Sequence, residues 1–253
     1  MKKEMNTSTG LTSFKTPTAK LREKILSMLS HYLMNSRRVL WYAETVVLSA
    51  RYFQRINGDS FGLDGPGVRY SNREEMWLKA VLPYLSKRST KIQVAEFGVA
   101  SGRATTWWHH HLEKIHRWDG FDTFEGLPAP WKRAGVTVMN QGVFAPQDAS
   151  SPFPVISGAE SLTWHKGLIN ETISELMRSE DSTLFVLIDV DLLEPTRDVL
   201  EWMEQNGKTG DCIYFDEAFD PFNEGLALNE SIARGLKFRV LGYTGSALSI
   251  VLV

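Results

Sequence analysis

Residues 92–102 read IQVAEFGVASG: an apolar run of strand length, a glutamate near its end, then two glycines, Gly98 and Gly102, four positions apart. A helical pattern follows over 103–115. Strand, glycine-punctuated turn and helix form the first half of a crossover unit, and the same alternation repeats outward from it. WDGFD (118–122) precedes a long loop; LTWHKG (162–167) precedes a helical pattern over 169–178; LFVLIDVD (184–191) precedes one over 195–205; and DCIYFDE (211–217) precedes one over 223–235. The last two apolar runs, FRVLGY and ALSIVLV, have no helix between them. They read as a hairpin that adds an antiparallel strand at or near one edge. The expectation is an α/β fold: a doubly wound, mostly parallel, seven-stranded sheet covered by helices on both faces.

Ahead of that region, apolar residues recur at helical spacing from Lys20 to about Ile56, suggesting two helices, the second rich in aromatics (Trp41, Tyr42, Tyr52, Phe53). Those aromatics suit core or dimer packing. Ser71 with Glu74 resembles a capping box, and a helix is expected from there to about Leu85. The reading divides the chain into a flexible tail (1–18), an N-terminal helical extension (19–88) and a ligand-binding domain (89–253), with a homo-oligomer through the N-terminal helices as a possible partner arrangement. At 253 residues, 43% apolar and 23% charged, the chain has ordinary globular composition. A net charge of −2 gives no electrostatic reason to expect nucleic acid as a partner. One cysteine, Cys212, permits no intrachain disulfide, and a reducing cytoplasm is the default expectation. The basic start lacks an apolar segment behind it, so neither a secretory signal nor a membrane is expected.

In wound sheets ligands bind beyond the carboxyl ends of the strands, where strand order reverses. Those ends carry Glu96 and Gly98, Asp122, Gly167, Asp189 and Asp191, and Asp216 with Glu217. Ala100 stands where a dinucleotide fingerprint has its middle glycine, and the GK[ST] of a phosphate loop is missing. Pyrophosphate is therefore disfavoured, whereas Glu96 suits a cationic or hydroxylated group and Asp122 suits ribose hydroxyls. A phosphate-free nucleoside carrying an ammonium fits this set.

Five segments in order, EFGVASG, FDTFEGLP, HKGLINETI, LIDVDLLEPT and YFDE, resemble the class I S-adenosylmethionine-dependent methyltransferases, and among them the macrocin O-methyltransferase (TylF/MycF-like) family. The resemblance spans roughly residues 90–235. It implies that Glu96, Gly98 and Gly102 line the methionine end of S-adenosylmethionine, with Ser101 and Thr123 as neighbours and Asp122 on the ribose. It also implies a divalent ion, Mg²⁺ by the all-carboxylate donor set, held by Asp189, Asp216 and Glu217. The acceptor would be a hydroxyl of a small molecule, a sugar or other diol.

Leu193 stands where the family usually has tyrosine, and Glu217 replaces the second aspartate of the acidic pair; the segment after it adds Asp220 and Glu224. Asp189 is the candidate for acceptor activation. Asp191, two residues on and on the same face of an extended segment, is a candidate general base or a cap for the helix near Pro195. His165, at the end of the third strand, is a further catalytic candidate directed at the cofactor rim. The WWHHH run at 107–111 reads as a packed or solvated helix face, and Cys212 as an inert core residue. The loop 125–158, long and without a regular pattern, reads as a lid or acceptor loop. Two other functions compete: a noncatalytic binding or assembly module that keeps the fold, and a NAD-dependent oxidoreductase.

Overall fold

The computed structural model describes residues 68–133, 135–146, 151–158 and 161–253. The expected tail and the aromatic helices proposed for oligomerisation lie outside the described residues. Among the described residues, ten strands form an eight-stranded sheet in the order β1-β9-β10-β8-β7-β2-β3-β6 and a separate β4-β5 hairpin. The strands are β1 (Val68–Arg69), β2 (Lys91–Phe97), β3 (Ile115–Asp122), β4 (Trp131–Arg133), β5 (Val136–Met139), β6 (Leu162–Lys166), β7 (Ser182–Ile188), β8 (Cys212–Phe215), β9 (Phe238–Tyr243) and β10 (Leu248–Leu252). Seven long strands make the expected mostly parallel sheet, and the two-residue β1 adds an eighth beside β9. The terminal hairpin forms as expected, with β10 running antiparallel to both β9 and β8. Strand order reverses between β2 and β7, so the crevice above these two strands is the topological switch point.

Alternation along each strand sends side chains to two separate cores. On one face Ala95, Phe97, Phe121, Val186, Ile188, Ile213 and Phe215 pack beneath α5 (Leu193–Asn206) and α6 (Glu224–Arg234). On the other face Ile92, Val94, Trp118, Phe185, Leu187 and Tyr214 pack against Trp77, Leu85 and Trp108. Those last three belong to the helical run before β2 and to α3 (Arg103–His111). The run comprises α1 (Arg73–Met76), a π-helical turn (Trp77–Val81) and α2 (Leu82–Ser86). Trp77 sets its ring against Trp107, Trp108 and Tyr214 at 5.1–5.6 Å, so this run covers the sheet face directly.

Several local expectations shift. The cap of α1 is Asn72, whose side chain accepts the Glu75 N–H at 2.9 Å, while Glu75 reaches back to the Ser71 N–H. The reciprocal box forms one residue later than its sequence signature. Helix α3 stops at His111, because β3 must start at Ile115 to pair with Ile92. The helical pattern over 169–178 yields one turn, α4 (Ile169–Thr172), and a 3₁₀ turn, Ile173–Glu175. Strand β7 ends at Ile188, three residues before Asp191. The loop 125–158 carries the β4-β5 hairpin. Cys212 is buried in β8, where burial pushes its thiol up.

Candidate functional site

Sheet register places the acidic residues. Phe97 lies opposite Phe121 on one side and Ile188 on the other, and Ile188 lies opposite Phe215. The next residue of each strand therefore falls in one row: Asp122, Gly98, Asp189, Asp216. Backbone bonds extend the ladder to that row, with the Gly98 N–H reaching Phe121 O, the Asp189 N–H reaching Phe97 O and the Asp216 N–H reaching Ile188 O, at 2.9–3.0 Å. Residues separated by up to 118 positions in the chain thus share one edge of the sheet.

A cavity of about 590 Å³ opens above this row, and Glu96, Gly98, Ser101, Asp122, Asp189 and Asp191 are all among its walls. Thr123 lines it as well. Gly102, His165, Asp216 and Glu217 stand outside its lining. The turn between β2 and α3 needs its first glycine: Gly98 has φ +86°, and a Cβ there would fall 1.9 Å from the carbonyl oxygen of Asp189. Ala100, Phe144 and Asp191 also line the cavity with positive φ, conformations that non-glycine residues hold only when the surroundings enforce them.

Glu96 is fully buried, and its Oε2 accepts the Thr105 hydroxyl at 2.5 Å and the Trp118 indole N–H at 3.1 Å. Burial pushes its carboxyl up to about 8, against the pull of those two donors. Asp122 holds the turn itself: Oδ2 accepts the N–H groups of Val99 and Ala100, each at 2.8 Å, and Oδ1 accepts that of Phe124 at 2.7 Å. Its carboxylate faces the cavity while fixing the loop above it.

Burial raises the carboxyls of Asp189 and Asp191, and the neighbouring Asp216 charge adds to both; Asp191 reaches about 6. Asp191 has φ +60°, so it is not on an extended segment with Asp189, and it is not the cap of α5, whose N-cap is Leu192, without a side-chain bond. Glu224 fixes this turn. Fully buried, it accepts the N–H groups of Val190 and Asp191 on Oε1 and that of Glu217 on Oε2.

His165 does not reach the rim. It sits in the Phe121 row, one residue below the strand end, so its ring lies against the sheet under the short 169–175 segment and stacks on Phe121 at 4.3 Å. Nδ1 contacts Glu175 Oε2 at 2.6 Å and Nε2 contacts Asp119 Oδ1 at 3.1 Å. These contacts assign it to packing. His111 likewise stacks on Trp107, at 4.0 Å, on the helix face expected for it.

The donor set expected for Mg²⁺ does not fit the ion. Such a site needs oxygens converging at about 2.0–2.1 Å on one point, and among the described residues no group of three or more His, Cys, Asp or Glu side chains converges in this way. Asp189 and Asp216 instead face Arg73 Nη1 at 3.5 and 3.0 Å, and Glu217 faces Arg133 Nη2 at 2.9 Å. Arg133 also bonds Asp220 and stacks over Trp131 at 4.5 Å. Sequence reasoning missed Arg73, Arg133 and the clamping role of Glu224, because no local pattern ties them to the strand ends.

No family model matches the chain, and no curated protein does. Among solved structures it is similar to CalS11, a calicheamicin methyltransferase, at 19% identity over 98% of this chain and 99% of that one, with a TM-score of 0.47. It is also similar to the O-methyltransferase NovP, at 16% over 83% and 99%, TM-score 0.47. A third is TomG from Streptomyces achromogenes, at 15% over 81% and 89%, TM-score 0.44. The fold rests on the strand order and the site on its geometry.

Proposed function

We propose that this protein is an S-adenosylmethionine-dependent O-methyltransferase that acts on a hydroxyl of a small molecule, a sugar or other diol. The observation that carries the reading is the register row: it sets the Gly98 turn beside Asp122 and Asp189 at one edge of the sheet, on a cavity that Glu96 and Asp191 also line. The Gly98 turn, Glu96 and Asp122 suit a nucleoside with a cationic amino-acid end, Glu96 taking the ammonium and Asp122 the ribose. Asp189 and Asp191 suit an acceptor hydroxyl. In the transfer, the acceptor oxygen attacks the methyl carbon, the C–O bond forms as the C–S bond breaks, and the sulfonium leaves as a neutral thioether. The hydroxyl proton passes to Asp191, whose carboxyl at about 6 suits a general base near neutral pH. Leu127, Pro128, Pro130 and Phe144 give the cavity an apolar lining beside the carboxyls.

Calorimetry with S-adenosylmethionine and with NADH tests the reading. The expected result is saturable binding of the first and none of the second. NADH binding would convert the assignment to an oxidoreductase. Binding of S-adenosylmethionine without methyl transfer to any member of a panel of sugars, diols and catechols would leave a binding module. Asp191→Asn should lower turnover by about 10²–10⁴-fold, the usual contribution of a general base, and leave cofactor affinity within a few-fold. Loss of both together removes Asp191 from the chemistry.

A further inference from the structure

The carboxylates at the ends of β7 and β8 already have a cation. Arg73 opens α1, directly after the Asn72 cap that fixes where the helix starts. Its guanidinium lies 5.4 Å over the ring of Trp77, itself wedged among Trp107, Trp108 and Tyr214. From that seat Nη1 reaches Asp216 Oδ1 at 3.0 Å and Asp189 Oδ2 at 3.5 Å. The Tyr214 hydroxyl donates to the same Asp216 oxygen. Arg133, from the β4-β5 hairpin, takes Glu217 and Asp220. The three residues expected to hold a metal are thus divided between two guanidinium groups arriving from different elements. A divalent ion could reach Asp189 and Asp216 together only by displacing Arg73 or by sitting against its positive charge, which at such separations is repulsive.

We propose that Arg73 is the resident cation of the Asp189–Asp216 pair, so that the pair takes no divalent ion. Arg73 also lines the cavity, and there it does two things. It balances the charge of the pair, and it presents fixed N–H donors, in place of an ion's open coordination positions, to the acceptor side. The inference rests on the methyltransferase reading only for what the pair serves; what fills it is decided by the side chains.

Mn²⁺ provides the probe, because its electron spin resonance signal reports free and bound ion directly. Wild-type protein is expected to show no saturable Mn²⁺ binding at millimolar ion. Arg73→Met, which keeps the length and removes the charge, should bind Mn²⁺ at least about tenfold more tightly than wild type, a difference of about 1.4 kcal/mol. Arg73→Lys should restore the wild-type refusal, which a merely structural loss would not do, and adding Asp189→Asn to Arg73→Met should abolish the new binding. Saturable Mn²⁺ binding by the wild type that disappears in Asp189→Asn overturns the proposal. So does an Arg73→Met protein, folded by circular dichroism, that binds the ion no better than wild type. S-adenosylmethionine titrated in the same preparations with and without Mg²⁺ keeps the two readings apart: no cofactor binding fails the function, while the Mn²⁺ results still decide what Arg73 does.

Discussion

Glu96 sits under two opposed demands. Its place in the β2 ladder buries it, which favours the neutral acid, while Thr105 and Trp118 stabilise the anion and do not prevail. At neutral pH most of the ligand-free protein therefore carries a protonated Glu96, and an ammonium group binding beside it favours the carboxylate. Cofactor binding at pH 7 should thus release protons, and affinity should rise as the pH approaches 8. Titration in buffers of different ionisation heat measures the release directly; if the apparent enthalpy is the same in all of them, Glu96 does not ionise on binding. Glu96→Gln should remove the release and weaken binding. Gly98 makes a different demand. Gly98→Ala places a methyl group 1.9 Å from a carbonyl oxygen in a left-handed conformation, and the turn must move to admit it. A loss of about 3 kcal/mol or more in a denaturant melt is expected, since strain at a special backbone position is among the few causes of large effects. A loss below 1 kcal/mol, on the order of an ordinary surface change, would show that Asp189 is not held by this approach.

At the scale of elements, the hairpin β4-β5 depends on Arg133. Its guanidinium joins Glu217 and the fully buried carboxylate of Asp220, and Asn223 donates to the Lys132 carbonyl beside it. Removing one partner of a buried pair leaves an uncompensated charge, at about 3–5 kcal/mol. Arg133→Met should therefore loosen the segment locally, and hydrogen exchange over residues 131–139 should quicken while β2 and β7 stay protected. Uniform quickening would make Arg133 a support of the whole sheet instead. The same contrast between local and distant information explains how much of the site the amino-acid sequence discloses. Strands and helices announced themselves by period, and the strand-end acids by their place after apolar runs, so the row Asp122, Gly98, Asp189, Asp216 was within reach. Side-chain facing was not. His165 differs from a rim residue by a single position in register, which buries it against Phe121. Asp191 lies beyond the strand in a left-handed turn that Glu224, 33 residues later, holds in place. Arg73 and Arg133 come from a helix start and a loop hairpin, and nothing in their neighbours' spacing indicates the carboxylates they meet.

For the molecule as a whole, the acidic cluster sets how stability responds to pH. In the ligand-free protein burial raises Glu96 to about 8, Glu217 to about 7 and Asp191 to about 6, and it raises Asp189 and Glu224 as well. The ordinary values are 4.5 for glutamate and 3.8 for aspartate, so the folded protein holds these protons more tightly than the unfolded chain does. Stability from such groups is complete below the unfolded values and is lost as pH rises through the folded ones. Carboxyls held low by arginine or lysine partners, such as Glu75 and Glu230, act in the opposite sense, and theirs disappears only at more acid pH. Between about pH 5 and 8.5 the buried carboxyls outnumber His109, whose imidazole burial pushes down and which acts in the opposite sense at the acid end, and the melting temperature of the ligand-free protein should fall across that interval. Glu96→Gln removes one of the titrating groups and should flatten the upper part of the slope. Saturating S-adenosylmethionine should do the same from the other direction, because a cationic ligand beside Glu96 makes its ionised form the favoured one and binds only the folded state. A melting temperature that is level or rises from pH 5 to 8.5 without ligand would mean that water or counter-ions reach these carboxyls freely, and the buried charge balance derived for the cavity would fall with it.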